Sequence, residues 1–203
     1  YKRQGLGIIG SGSMYPDVLK DHIQKCKKNT DAPFAVNLPL LYPNAEDHIR
    51  SILDLKVPIV FTSAGNPKTW TGELKKHGVK VVHVVSSVRF AKKAEHAGVD
   101  AVVAEGFEAG GHNGIEETTT FCLVPEVAKT VQIPLIAAGG IIDGKSMLAA
   151  MVLGADGVQM GTRFVASEES SAHINFKQKV VELNEGETHL TLKEITPVRL
   201  IKN

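Results

Sequence analysis

A chain of 203 residues, 43% apolar and 22% charged, with a formal net charge of +1, has the balance of a globular domain, and one domain over residues 1–203 is expected. Lys and Arg are scattered and aromatics make up only 5%, which excludes the basic stripe and stacking platform of a nucleic-acid binder. No apolar run nears the roughly 20 residues that cross a bilayer and no leader pattern opens the chain, so neither nucleic acid nor membrane is an expected partner and a cytoplasmic location is expected.

The opening Tyr1-Lys2-Arg3-Gln4 is polar and runs straight into Leu6-Gly7-Ile8-Ile9 without a cap or turn, as a truncated start would. From there, short apolar runs with β-branched character recur at 6–9, 34–38, 59–62, 79–85, 100–104, 134–138 and 157–160. Each is continuously apolar rather than alternating, as expected of strands covered on both faces. Between them, residues 15–26, 45–55, 88–97, 123–131 and 145–153 have helical spacing. Strand starts fall roughly two to three dozen residues apart, the length of a βαβ unit, which predicts a parallel sheet with right-handed crossovers.

Ala97-Gly98-Val99-Asp100-Ala101 and Leu153-Gly154-Ala155-Asp156-Gly157 repeat one pattern of helix end, glycine turn and strand, an echo of regularly repeated (β/α) units. The predicted fold is therefore α/β, a TIM-type (β/α)8 barrel over residues 1–165, rather than an open doubly wound sheet. Closure needs one strand more than the sequence supplies, so the first barrel strand is expected to be missing. Beyond Arg163 the chain turns charged, with Glu168, Glu169, Glu182, Glu185 and Glu187, and residues 166–203 read as an outer helix and the tail of a larger C-terminal segment.

Gly5-Leu6-Gly7-Ile8-Ile9-Gly10 matches the dinucleotide pattern GxGxxG, but its glycines lie within the strand and Ser11-Gly12-Ser13-Met14-Tyr15-Pro16 delays the helix, so the Rossmann reading is set aside. Small-residue turns at Gly139-Gly140 and Gly161-Thr162 close neighbouring strands where barrels commonly bind phosphate. Backbone N–H groups, the Thr162 hydroxyl and a helix N-terminus near Gly144 are the expected donors. The loop Glu105-Gly106-Phe107-Glu108-Ala109-Gly110-Gly111-His112-Asn113-Gly114 presents one imidazole among glycines that bring backbone close to a flat ligand. His112 is the candidate general base or hydrogen-bond donor.

Asn37 and Ser63 end apolar strands and suit the rim of a ring, while ordinary turn chemistry remains open for both. Gln159, a polar residue in a barrel strand, needs a partner from a ligand or another strand. His22, His48, His77 and His96 are expected to be solvated and His173 and His189 to lie in the tail; His83 is read as a core histidine or one facing the barrel mouth. No histidine pair has metal-ligand spacing, so no catalytic metal is expected. Cys26 and Cys122 are read as reduced thiols, with Cys122 in the core.

Together, Glu108-Ala109-Gly110-Gly111-His112-Asn113-Gly114, Ala137-Ala138-Gly139-Gly140-Ile141 and Gly157-Val158-Gln159-Met160-Gly161-Thr162-Arg163-Phe164 resemble the nitronate monooxygenases, a resemblance covering nearly the whole chain. The same motifs are shared with a sister group, the flavin-dependent enoyl-acyl-carrier-protein reductases. The resemblance implies FMN as cofactor, with His112 facing the flavin; Gly110 and Gly111 beside it; Gly139, Gly140, Gly161 and Thr162 at the phosphate; and Asn37, Ser63 and Gln159 near the ring or ribityl chain. It implies oxidation of a small nitronate by O2 to a carbonyl compound and nitrite, an inclination that Asn113 and Glu116-Glu117 support. NAD(P)H-dependent reduction of an enoyl thioester is the alternative, and an inactive, flavin-free truncated remnant the second alternative. A homodimer is left open. Members of the family begin with an additional glycine- and methionine-bearing strand and continue past Lys202-Asn203.

Overall fold

The computed structural model describes residues 5–202, so the reading of Tyr1-Lys2-Arg3-Gln4 lies outside the described residues. In chain order the elements are β1 (Gly7–Gly10), α1 (Pro16–Asn29), β2 (Phe34–Pro39), α2 (Ala45–Asp54), β3 (Ile59–Ser63), α3 (Lys68–Lys76), β4 (Lys80–Val85) and α4 (Val88–His96). Then come β5 (Ala101–Glu105), β6 (Gly111–His112), α5 (Thr120–Ala128), β7 (Leu135–Ala138), α6 (Gly144–Val152), β8 (Gly157–Gln159), α7 (Thr162–Val165), α8 (Ile174–Glu182), β9 (Thr188–Thr191) and β10 (Val198–Ile201). Strand order β1-β2-β3-β4-β5-β7-β8 repeats chain order. Neighbours run parallel, as in the registers Ile8↔Ala35, Val36↔Val60 and Ala137↔Val158. This is the topology of a parallel (β/α) barrel.

The chain groups into two compact units whose boundaries fall inside β4, α4 and β5. The first holds residues through Val84 together with Lys93–Val102. In it, α1 turns Leu19 and Ile23 inward, and α2 turns in Ala45, His48, Ile49 and Ile52, the spacing of one helical face. They join Val36, Leu38, Val60, Leu74 and Val81 in a solvent-free core, where each large aliphatic side chain contributes about 1.5–3 kcal/mol. His48 is therefore buried, at 2% exposure, and not solvated as its sequence suggested; the i, i+4 step from Ile52 puts it on the inner face. Among the described residues β1 is an edge strand, with Ile8 36% exposed.

The second unit holds Val85–Lys92 and Val103 onward. Its core gathers Val103, Ala104, Leu123, Val124, Val127, Leu135 and Ala137. Because α5 spends its inner face on Leu123, Val124 and Val127, Phe121 and Cys122 fall outside, and Cys122 is an exposed free thiol rather than a core residue. Beyond residue 166 the chain forms α8. The rest of that segment is a hairpin of β9 and β10, and β10 pairs antiparallel with β6, giving the order β6-β10-β9.

The sequence echo is also a structural one. Gly98 and Gly154 leave their helices at φ of +84° and +106°, the left-handed conformation glycine takes without strain. Two residues on, Asp100 N donates to Val81 O at 2.7 Å and its carboxylate accepts from Val81 N at 2.9 Å. Asp156 does the same with Leu135, at 2.7 and 2.8 Å. Burial opposes the Asp100 charge, but the Val81 N–H and the Lys80 and Lys75 ammonium groups outweigh it and hold the carboxyl below its ordinary range.

Candidate active site

Strand β5 ends at Glu105, and the chain turns at Gly106, whose N–H donates to Ala138 O at 2.9 Å. Gly106 is buried against Thr120, leaving no room for a Cβ. From this turn the loop rises to Glu108, which sequence reading passed over. Its carboxylate accepts from Thr120 N at 2.9 and 3.1 Å and lies 3.0 Å from Thr120 Oγ1. Thr120 opens α5, so Glu108 places a negative charge on the free N–H groups of a helix start. The Thr120 hydroxyl also lies 2.9 Å from Gly139 O. One acid thus fastens the loop to α5 and, through Thr120, to the turn after β7. A lone acid in a glycine-rich loop was the readable clue.

His112 ends β6 and its side chain is exposed. Its backbone is paired with Val198, Gly111 is paired with Arg199, and Asn113 N donates to Pro197 O at 2.8 Å. Asn113 Nδ2 donates to Ala109 O at 2.9 Å and Gly111 O at 3.1 Å, closing the loop on itself. Asn113 Oδ1 is buried without a partner among the described residues.

The glycines divide by what they do. Gly139 and Gly140 have φ of +98° and +67°, and a Cβ on Gly139 would meet Gly106 O at 2.7 Å, so the fold itself demands glycine there. Over Gly111 and Gly161 nothing lies within 4 Å, and over Gly110 the nearest atom is Thr162 Oγ1 at 4.0 Å. All three leave open space on their Cβ side, although Gly111, at φ +87° and paired with Arg199, also needs glycine for its backbone, and the structure brings Gly110 and Thr162 together. Thr162 and Arg163 line a shallow cavity with Ile142, Ala166, Ser167 and Val180. At the α6 N-terminus, expected near Gly144 to offer donors, the Ser146 N–H is taken within the chain. Asp143 Oδ1 accepts from Ser146 N at 2.8 Å in a capping box, and its carboxyl is held below the ordinary range first by that N–H. Gln159 is half-buried at the end of β8, in register with Ala138.

In the first unit, Asn37 and Ser63 come together at the carboxyl ends of β2 and β3, with Asn37 Nδ2 3.5 Å from Ser63 Oγ and 3.3 Å from Phe61 O. Behind them, Ser11 is fully buried and donates to Asn37 O at 2.7 Å. His83 is a core histidine, its Nδ1 2.7 Å from Thr62 Oγ1, and burial, then the charge of Lys93, lowers its pKa to about 4. In the second unit, burial pushes the Glu105 carboxyl up to about 7. Glu105 closes the apolar run Ala101-Val102-Val103-Ala104 at the carboxyl end of β5. Among the described residues no group of His, Cys, Asp and Glu could hold a metal ion, and no helix is long and apolar enough to cross a membrane.

A family model described as nitronate monooxygenase matches residues 44–203. A probable nitronate monooxygenase of Staphylococcus saprophyticus is 35% identical, over 98% of this chain and 69% of its own length. Among solved structures, FabK from Thermotoga maritima is 50% identical with a TM-score of 0.94, over 98% of this chain and 64% of that one. A nitroalkane oxidase from Streptomyces ansochromogenes is 28% identical with a TM-score of 0.88, over 98% of this chain and 70% of that one. The chain thus spans 64–70% of the length of these three relatives.

Proposed function

The chain belongs to the nitronate monooxygenase family, and from that membership we propose that it is part of an FMN-dependent oxidoreductase in which His112 is the catalytic residue. The reaction proposed first is reduction of an enoyl thioester by NADH or NADPH. The observation that carries it is the 50% identity to FabK, of the sister enoyl-reductase group, against 28% to the nitroalkane oxidase. Oxidation of alkyl nitronates by O2 is the second reading, supported by the family model and the staphylococcal relatives.

The residues present suit FMN. Gly161, Thr162 and Arg163 offer a backbone N–H, a hydroxyl and a guanidinium to a phosphate, a donor set matched to a dianion. The absence of side chains at Gly110 and Gly111 leaves room for a flat ring. Gly139 and Gly140 shape the turn, and hydrogen bonding to the ring or ribityl chain is the role proposed for Asn37, Ser63 and Gln159. When bound, FMN supplies a carrier that takes electrons from one substrate and passes them to another.

The protein's part is to place and protonate. His112 is exposed at the end of a braced strand, and an imidazole ring can donate a proton from one nitrogen or accept one at the other. In enoyl reduction it donates to the thioester carbonyl as negative charge grows there. In nitronate oxidation it takes the α-proton of a neutral nitroalkane or offsets charge on the nitro oxygens. His112→Ala is expected to lower kcat by about 10²–10⁴-fold with the flavin still bound, as measured by steady-state turnover and the visible flavin band.

The two reactions separate by following that band without oxygen. Bleaching by NADH or NADPH and recovery on adding crotonyl-CoA is the expected result. Bleaching by an alkyl nitronate with no response to either nicotinamide moves the protein to the second reading. A protein that retains no flavin overturns both.

A further inference from the structure

We propose that Arg199, on the C-terminal hairpin, is a positioning residue that holds the His112 loop in its working geometry; the functional half of this proposal rests on reading His112 as catalytic. The loop from Phe107 to His112 is poorly equipped to hold itself. It contains Gly110 and Gly111, the latter at φ +87°, and the strand it ends in is two residues long. A strand that short has no independent stability. Glu108 ties its start to α5 and the Asn113 amide closes it on Ala109 O and Gly111 O, but neither of these side chains ties it to the C-terminal hairpin.

Arg199 grips both ends of it. Its Nε–H donates to Phe107 O at 3.1 Å and its guanidinium lies 4.5 Å from the centre of the Phe107 ring, a hydrogen bond and a cation–π contact on the same residue. Its backbone is in register with Gly111, and the preceding Val198 with His112. The third anchor ties the brace into its own hairpin: Nη1 donates to Thr188 Oγ1 at 3.2 Å, across the β9–β10 pair in which Arg199 faces Leu190. A planar, always-charged fork is needed to stack and donate at once, so lysine is not an equivalent here. The C-terminal segment therefore acts on the reacting group without touching a reactant.

The test uses Arg199→Ala and, should that variant fold poorly, Arg199→Lys, which keeps the charge and stem. Amide hydrogen exchange is measured on the flavin-free protein, and kcat and KM on the flavin-loaded one. In Arg199→Ala, exchange at Gly111, His112 and Asn113 is expected to rise about ten- to hundredfold, the effect of losing one charged hydrogen bond, while Val60 and Val81 keep their protection. Displacement of the imidazole is expected to lower kcat by up to about 10²-fold with KM changed much less. Arg199→Lys should recover only part of either effect. Unchanged exchange in the loop, or turnover within twofold of the parent, overturns the proposal. Failure of the underlying reading is separate and visible on its own, as full turnover in His112→Ala.

Discussion

Glu105 and His83 are displaced from their ordinary pKa values in opposite directions, and the pH dependence of stability follows from the signs. Glu105 goes from 4.5 to about 7, so the folded state holds a proton that the unfolded state releases. The associated stability is whole below pH 4.5 and is lost as pH rises through 7, on the order of 3 kcal/mol in all. His83 goes from 6.5 to about 4, so its stability is whole above pH 6.5 and is lost as pH falls towards 4, again on the order of 3 kcal/mol. Between pH 4.5 and 6.5 the two slopes oppose and largely cancel. Glu105→Gln is expected to remove one of them: its stability relative to the parent, from urea unfolding, should climb steadily between pH 4.5 and 8. A difference that does not vary with pH would sink the assignment. Neither shift could be read from the chain, because burial of a strand-end acid or a strand histidine depends on what packs over it. The candidacy of His112 has the reverse basis, its flanking glycines rather than its burial.

For the elements, the contrast among glycines gives the sharpest expectation. Gly139→Ala puts a Cβ 2.7 Å from Gly106 O at a φ of +98°, and should cost at least about 1–3 kcal/mol of stability. Gly161→Ala meets nothing within 4 Å, so its melting temperature should match the parent while its flavin affinity falls. Thermal unfolding and flavin titration of both variants measure the two effects separately. Glu108→Ala leaves the buried Thr120 start of α5 without its acceptor and should destabilise by about 1–3 kcal/mol, with Glu108→Gln close to the parent. The strands of the parallel sheet were legible because continuous apolar runs with glycine turns have few other uses. Helix α3 was not, since only Thr71 and Leu74 are buried in it and its remaining residues carry little apolar periodicity. The β9–β10 hairpin was hidden too: its strands are half-covered at best, and its partner β6 is two residues long and distant in sequence.

For the whole molecule, barrel topology and family came through from sequence because they rest on repetition and on motifs, which local chemistry writes plainly. The contribution of the C-terminal segment did not, because pairing between remote strands leaves little local trace. The repeated aspartates at Asp100 and Asp156 mark the amino ends of β4 and β7, whereas the candidate site residues stand at carboxyl ends and the loops that follow. Asp156→Ala leaves Leu135 N without its side-chain acceptor and should lower stability by about 1–3 kcal/mol while leaving kcat within about twofold, measured by urea unfolding and turnover.

That separation along each strand bears on how such a protein can change over generations. Substitutions at open carboxyl-end positions such as Gly161 draw on one set of residues and the aspartates bound to the amino ends on another, while Glu108 and Gly139 serve the frame from within the loops. A lineage can therefore explore new chemistry in its loops without first rebuilding the frame that carries them.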